Sequence, residues 1–278
     1  MKMHQNIHRD INIEISSLFK LNIFRESKAK LIDQYISVII KNDQAEKSTQ
    51  KGTSAVSPFL IFTPNPEQIV LSHTDPHFLA ALQSADLLVP DGAGVVTASV
   101  LLAAFGKAGS IQERITGIDL LQTILKSFPA TKVAIIGGRA PHAAYGVADH
   151  LNIDSKSIPW LPAYRNVQSP TAEEEAAVEQ FLKSERPEVV FVAFGAPFQE
   201  YWSLRHKALL QKYGVRLVLV VGGAVDVLSG RLKRAPKLVR LLGLEWLFRL
   251  FQEPWRWKRQ LRLGTFIRLT VRELLSTA

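Results

Sequence analysis

Val189-Val-Phe-Val-Ala-Phe-Gly-Ala-Pro197 carries the pattern that sets the fold. A continuous apolar run ends abruptly in turn residues. It does not alternate with polar residues, as expected for a strand buried on both faces. The same pattern recurs on either side. Phe59-Leu-Ile-Phe62 runs into Thr63-Pro-Asn-Pro66, and Asp86-Leu-Leu-Val89 into Pro90-Asp-Gly92. Val133-Ala-Ile-Ile136 stops at Gly137-Gly138, and Leu217-Val-Leu-Val-Val221 at Gly222-Gly223.

Between the runs lie helical patterns, over 76–84, 117–128, 172–184 and 200–213. In the second, Leu120, Leu121, Ile124 and Leu125 share a face. Strands alternating with helices imply right-handed crossovers and a mostly parallel sheet. The fold class is therefore α/β: a Rossmann-like, mostly parallel sheet flanked by helices. A strand over 19–24 and a helix over 27–40 precede it. Residues 41–57 form a polar insert, and 1–16 are expected to be disordered. The catalytic body spans 17–230, and 231–278 form a basic helical appendage.

Charge divides the chain at the same place. Residues 231–278 hold 12 Lys or Arg against 3 Glu, whereas 1–230 balance at 22 each. The tail also carries Trp246, Trp255 and Trp257. Arginine and lysine attract phosphate, and tryptophan favours the lipid–water boundary. An anionic partner follows: a membrane surface, a nucleic acid or an acidic protein. The alternative is a helical pair packed on the body with a solvated charged face. The chain has no cysteine, which excludes disulfides and thiolate metal sites. No signal-peptide core stands near the start, and no apolar run approaches a membrane span. A cytoplasmic protein is the expectation.

In an open parallel sheet, ligands bind beyond the carboxyl ends of the strands. Thr63, Asp91, Gly137, Gln199 and Gly222 should converge there. Asp91 is either a general base, worth about 10²–10⁴-fold in rate, or the cap of the next helix. Gly92-Ala-Gly94 starts a dinucleotide fingerprint but has Thr97 where the third glycine belongs. Gly137-Gly138 and Gly222-Gly223 are tight turns or cradles for a diphosphate. Gln199 suits sugar hydroxyls, since an amide both donates and accepts; it equally suits a plain helix start. Asp226 is an acceptor for a nucleoside or a surface residue. Walker A, Gly-x-Ser-x-Gly, His-Glu-x-x-His and Asp-x-Asp signatures are all absent, so no metal is expected.

Taken in order, these clusters resemble the WecG/TagA/CpsF glycosyltransferase family. The resemblance rests on Thr63-Pro-Asn65, Pro90-Asp-Gly92, Glu113-Arg-Ile-Thr-Gly-Ile-Asp119 and Gly195-Ala-Pro-Phe-Gln-Glu200. It continues through Val221-Gly-Gly-Ala-Val-Asp226, Gly230-Arg-Leu-Lys-Arg-Ala-Pro236, Leu244-Glu-Trp-Leu-Phe-Arg-Leu250 and Glu253-Pro254. It covers residues 58–260, and loosely 17–41. It implies a membrane-associated, inverting enzyme on the inner face of the cell membrane. Such an enzyme moves a sugar, often of the N-acetylmannosamine kind, from a UDP donor to a polyprenyl-diphosphate-linked sugar. The products belong to teichoic acid and other cell-surface polysaccharide pathways.

The resemblance makes Asp91 the base, with Thr63, Asn65 and Gln199 as sugar contacts. Gly137, Gly138 and Asp226 become the UDP cradle. Arg249, Arg256 and Arg259 become arginines that close over diphosphate. Trp160-Leu-Pro-Ala-Tyr164 departs from the family pattern, leaving Tyr164 as the candidate to stack on the base. No cofactor and no nucleic-acid partner are implied, and homo-oligomer formation stays open. Two rivals remain: a nucleotide-dependent oxidoreductase on the same fold, and a nucleic-acid-binding module using the basic tail.

Overall fold

The computed structural model describes residues 13–41, 56–138, 143–154 and 158–276. Residues 1–12, and the polar insert apart from Lys41, Val56 and Ser57, lie outside the described residues. The strands are β1 (Ile15–Leu18), β2 (Leu21–Phe24), β3 (Phe59–Phe62) and β4 (Leu87–Leu88), then β5 (Val133–Gly137), β6 (Trp160–Leu161), β7 (Val189–Ala193) and β8 (Leu217–Val220). They form one sheet in the order β1-β2-β4-β3-β8-β7-β5-β6. Among the described residues only β1 and β2 pair antiparallel; the other pairings are parallel. This is the α/β, Rossmann-like sheet that the apolar runs predict.

Helices cover both faces. One face carries α1 (Lys28–Lys30), which passes through a π segment (Leu31–Ile36) into α2 (Ser37–Lys41). The opposite face carries α3 (Pro66–Thr74), α4 (Pro76–Gln83) and α5 (Ala93–Ala104). α6 (Gly117–Ser127) and α7 (Ala143–Leu151) return to the first face, and α8 (Ala172–Glu185), α9 (Phe198–Arg205) and α10 (Lys207–Lys212) to the second. α11 (Ala224–Leu228) closes the body, and α12 (Lys237–Leu241), α13 (Glu245–Gln252) and α14 (Trp257–Leu275) form the tail.

Strand residues alternate between two cores. Phe59, Ile61, Phe191, Leu217 and Leu219 pack with Leu120, Leu121 and Ile124 of α6. Leu60, Phe62, Val190, Val192, Val218 and Val220 pack with Ile69, Phe78, Val95 and Trp202. Both cores are apolar, so the alternation that marks a half-exposed strand vanishes from the sequence.

The structure corrects several boundaries. The expected disorder over 1–16 ends too late, because Ile15 and Ser16 pair with Phe24 and Ile23. The single strand over 19–24 is a hairpin turning at Phe19 and Lys20, which take φ of 54° and 64°. The helix over 200–213 divides at His206, whose ring stacks on Trp202 at 4.3 Å. In the tail, Gly243 adopts φ +71° and separates α12 from α13. Leu238, Leu241 and Leu242 therefore face solvent at 73%, 73% and 72% exposure rather than sharing a packed face with Trp246.

The tail is nonetheless seated on the body. Phe266 of α14 is buried against Phe19, with ring centroids 5.3 Å apart. Arg231 pairs with Asp226 (3.1 Å), Arg234 with Asp119 (2.5 Å) and Arg114 with Glu245 (3.0 Å).

α7 and α11 meet at Gly146, where a Cβ would lie 2.6 Å from the Cα of Ser229. Replacing glycine in a helix gains about 1 kcal/mol of propensity, but overpacking costs typically ~1–3 kcal/mol. Backbone cannot swing aside like a side chain, so strain wins. Gly146→Ala is expected to lower the urea midpoint at unchanged m-value; an equal or higher midpoint would refute this packing.

Candidate active site

The parallel strands aim their carboxyl ends at one edge, and hydrogen bonds stitch the loops there together. Asp91 N donates to Pro64 O at 3.1 Å, joining the loops after β4 and β3. Thr63 Oγ1 donates to Val220 O at 3.2 Å, joining β3 to β8. Gln199 Oε1 accepts from Gly195 N (3.2 Å) and Gly222 N (3.1 Å), joining the loops after β7 and β8. Thr63, Asn65, Asp91, Gln199 and Gly222 are thus brought to one place.

Asp91 does not cap α5. The N-cap is Gly92, at φ +124°, and no side chain bonds there. Among the described residues, the Asp91 carboxylate makes no hydrogen bond, and the residue is half-buried. Burial pushes it up to about 7, against the opposing charge of Arg114 and with help from Glu245 and Asp119. Such a group is poised to take a proton near neutral pH.

The glycines around it are there for packing. A Cβ at Gly92 or Gly94 would lie 2.9 Å from the Pro66 ring. The pair therefore lets α5 approach α3, and its likeness to a dinucleotide fingerprint has a steric cause. Gly137 and Gly138 take φ of +92° and +97°, and a Cβ at Gly137 would strike the Phe194 ring at 2.9 Å. Asn65 is the N-cap of α3: its Oδ1 accepts from Gln68 N at 3.1 Å in a capping box.

The tail reaches this edge. A Cβ on Gly223 would lie 2.0 Å from Arg249 Nη2, so the guanidinium rests where that side chain would begin. Arg249 and Arg256 share Glu253 Oε2, at 3.3 and 3.1 Å. Burial alone would raise Glu253, but its bonds to Arg256 and the charge of Arg249 hold it below the usual range. Residues from both body and tail make up the site, and sequence similarity runs through both. The glycosyl transferase WecG/TagA/CpsF family matches residues 31–278. The chain belongs to this family.

It is therefore a glycosyltransferase. A relative from Bacillus spizizenii is 32% identical over 208 residues, covering 74% of this chain and 76% of its own. One from Bacillus subtilis is 30% identical, covering 77% and 79%. One from Staphylococcus aureus is 29% identical, covering 76% and 78%. All three are named N-acetylglucosaminyldiphosphoundecaprenol N-acetyl-beta-D-mannosaminyltransferase.

Several residues of this WecG/TagA/CpsF chain hold the site rather than line it. Gln199 is only 3% exposed, and its amide joins two loops instead of facing a cleft. Asp226 is buried, and both its oxygens accept from Arg231, the first residue of the tail. The Tyr164 hydroxyl accepts from Trp202 Nε1 (2.8 Å) and donates to Glu175 (2.9 Å), while its ring lies 5.5 Å from that of Phe194. Arg259 is exposed on the first turn of α14.

Three participants had no role legible in the sequence. Arg114 and Glu253 stand inside motifs that were visible. Glu200 is fully buried, accepting from Gln199 Nε2 (3.0 Å) and Gln68 Nε2 (3.1 Å), and burial pushes it up to about 7. Hydrophilic character gave no sign of its burial. Through the two glutamines, Glu200 ties the loops after β3, β7 and β8.

Gly223→Ala separates the Arg249 contact from the fold. Residue 223 has φ −81°, so alanine adds no backbone strain, and only a mobile guanidinium must move. Losing one preorganised charge contact costs about 10²-fold in kcat. A comparable loss is expected, with thermal melting almost unchanged. Wild-type turnover would remove Arg249 from the site.

Proposed function

We propose that this chain transfers an N-acetylmannosamine-type sugar from UDP to a sugar carried on polyprenyl diphosphate, in cell-surface polymer synthesis. The names of its relatives, which specify an N-acetylglucosaminyl diphospholipid and a mannosaminyl group, support that substrate pair. The observation that carries the reaction is Asp91: an unbonded, half-buried carboxylate at the strand edge, near a guanidinium brought by the tail.

In this reading Asp91 takes the proton of the acceptor hydroxyl. The hydroxyl oxygen bonds to the anomeric carbon while the bond to UDP breaks, and the electron pair leaves on the β-phosphate. One in-line displacement inverts that carbon and needs a single base. Charge then grows on the diphosphate. Arg249 and Arg256 offer preorganised positive charge for it, and a guanidinium's rigid donor fork suits phosphate oxygens. No metal is required. Gly222, next to the Arg249 guanidinium on Gly223, would let the diphosphate approach the backbone.

The tail also supports membrane docking. No helix among the described residues is long and apolar enough to cross a membrane. Yet Phe251, Trp255, Trp257 and Leu261 are 77%, 65%, 53% and 65% exposed, alongside Leu241 and Leu242. Large apolar side chains left exposed on a basic tail suit an interaction surface. Each basic residue near anionic lipid adds roughly 1 kcal/mol, and a basic tail carries several. The enzyme would then meet a lipid-linked acceptor at the inner face of the cell membrane.

A panel of UDP-sugars with a lipid-diphosphate acceptor analogue, run with and without EDTA, tests the substrate pair and the metal. Asp91→Asn is expected to lower kcat by about 10²–10⁴-fold while UDP still binds. In the wild type kcat/KM should fall as pH drops through about 7, because only the deprotonated carboxylate is a base. Wild-type turnover by Asp91→Asn would refute the role.

Replacing Leu241, Leu242 and Phe251 together by serine touches only exposed positions, so stability should move within about 0.5 kcal/mol per site. Sedimentation with phosphatidylglycerol vesicles should weaken by at least ~10-fold, since a buried leucine or phenylalanine is worth about 1.5–3 kcal/mol. Undiminished sedimentation would exclude this surface.

A further inference from the structure

We propose that Arg114 and Glu245 form a positioning pair, made when the tail is seated, which fixes the charge around the Asp91 base. The inference rests on the reading of Asp91 as the base. Backbone contacts place both partners at its loop. Ile115 N donates to Pro90 O at 2.9 Å, so Arg114 runs beside the residue that precedes Asp91. On the tail side, a Cβ at Gly243 would lie 2.9 Å from Ala93 Cβ, so the turn before α13 abuts the residue two beyond Asp91. Between these contacts Arg114 Nη1 meets Glu245 Oε2 at 3.0 Å. Their side chains are only 20% and 24% exposed, so solvent and salt screen them weakly.

The other charges facing Asp91 come from two helices. α6 brings Asp119, whose carboxylate is held by Arg234 at 2.5 Å. α13 brings Arg249, which shares Glu253 with Arg256. Each of these already has a counter-charge. Among the described residues, Arg114 is ion-paired with Glu245. An uncompensated guanidinium beside a carboxylate lowers its proton affinity and makes it a weaker base. Glu245 offsets that pull, and it arrives on the same helix as Arg249. Seating the tail therefore delivers charge for the leaving group and restores the strength of the base in one movement.

The test is a carboxyl-carbon NMR titration of the full chain with labelled aspartate, which needs no substrate. Asp91→Asn identifies the Asp91 signal by its loss. Glu245→Gln keeps the shape and removes the charge; it should lower the Asp91 midpoint by roughly 0.5–1 pH unit, and Arg114→Met should raise it similarly. Removing both charges should return the midpoint to within ~0.3 unit of wild type, since the two effects oppose. An unmoved midpoint in Glu245→Gln overturns the pair. Should that variant unseat α13, seen as faster amide exchange in α13, Arg114→Met decides, and a midpoint that fails to rise overturns it. If Asp91→Asn is inactive, an unmoved midpoint sinks the pair alone. If Asp91→Asn turns over normally, the base reading fails and the inference with it.

Discussion

A carboxylate drawn partly out of water costs free energy unless a donor compensates, and no side chain or backbone group among the described residues donates to that of Asp91. The surrounding loops make it possible. Gly92 turns at φ +124°, so no side chain caps α5, and the two glycines let Pro66 pack close. The Asp91 N–H is tied to Pro64 O, which fixes the loop without engaging the side chain. A satisfied carboxylate would be more stable and a poorer base. The rest of the edge is built to tolerate this exception: Gln199, Gln68 and Glu200 bind the loops after β3, β7 and β8 into one rigid rim.

The tail completes that rim. Its net charge of +9, the same as that of the whole chain, would repel itself as a free helix cluster. Seated, it spends part of that charge on carboxylates of the body: Asp226, Asp119 and Glu67 accept Arg231, Arg234 and Arg256. Phe266 adds a buried apolar anchor. What remains outside is apolar and basic together, a surface suited to anionic lipid. In the proposed reading, one segment would serve the reaction on its inner side and docking on its outer side.

Much of this architecture was legible in the chain. The runs ending at Phe62, Val192 and Val220 fall on strands because apolar residues face two cores at once. Three helices missed in the sequence, α3, α7 and α11, begin a few residues after strand ends, where turn residues interrupt the helical period. Gln199 resembled a sugar contact because amides suit hydroxyls; its burial under Gly195 and Gly222 came from loops that are neighbours only in space. Asp226 looked available to a nucleoside, yet the arginine five residues on claims both its oxygens. That local partner was visible, but not which of its neighbours it would choose.

By itself the sequence determined the parallel sheet, the edge at which its loops gather, and a tail carrying the net charge. Apolar period, turn residues and charge runs are local properties, and a linear string records them fully. Only the tertiary structure decided that Asp91 stays open rather than capping a helix, and that Arg249 lies on Gly223. It also decided that Arg114 finds Glu245. Those outcomes depend on burial and on partners scores of residues apart in the chain, and distance in space is not written in the order of residues.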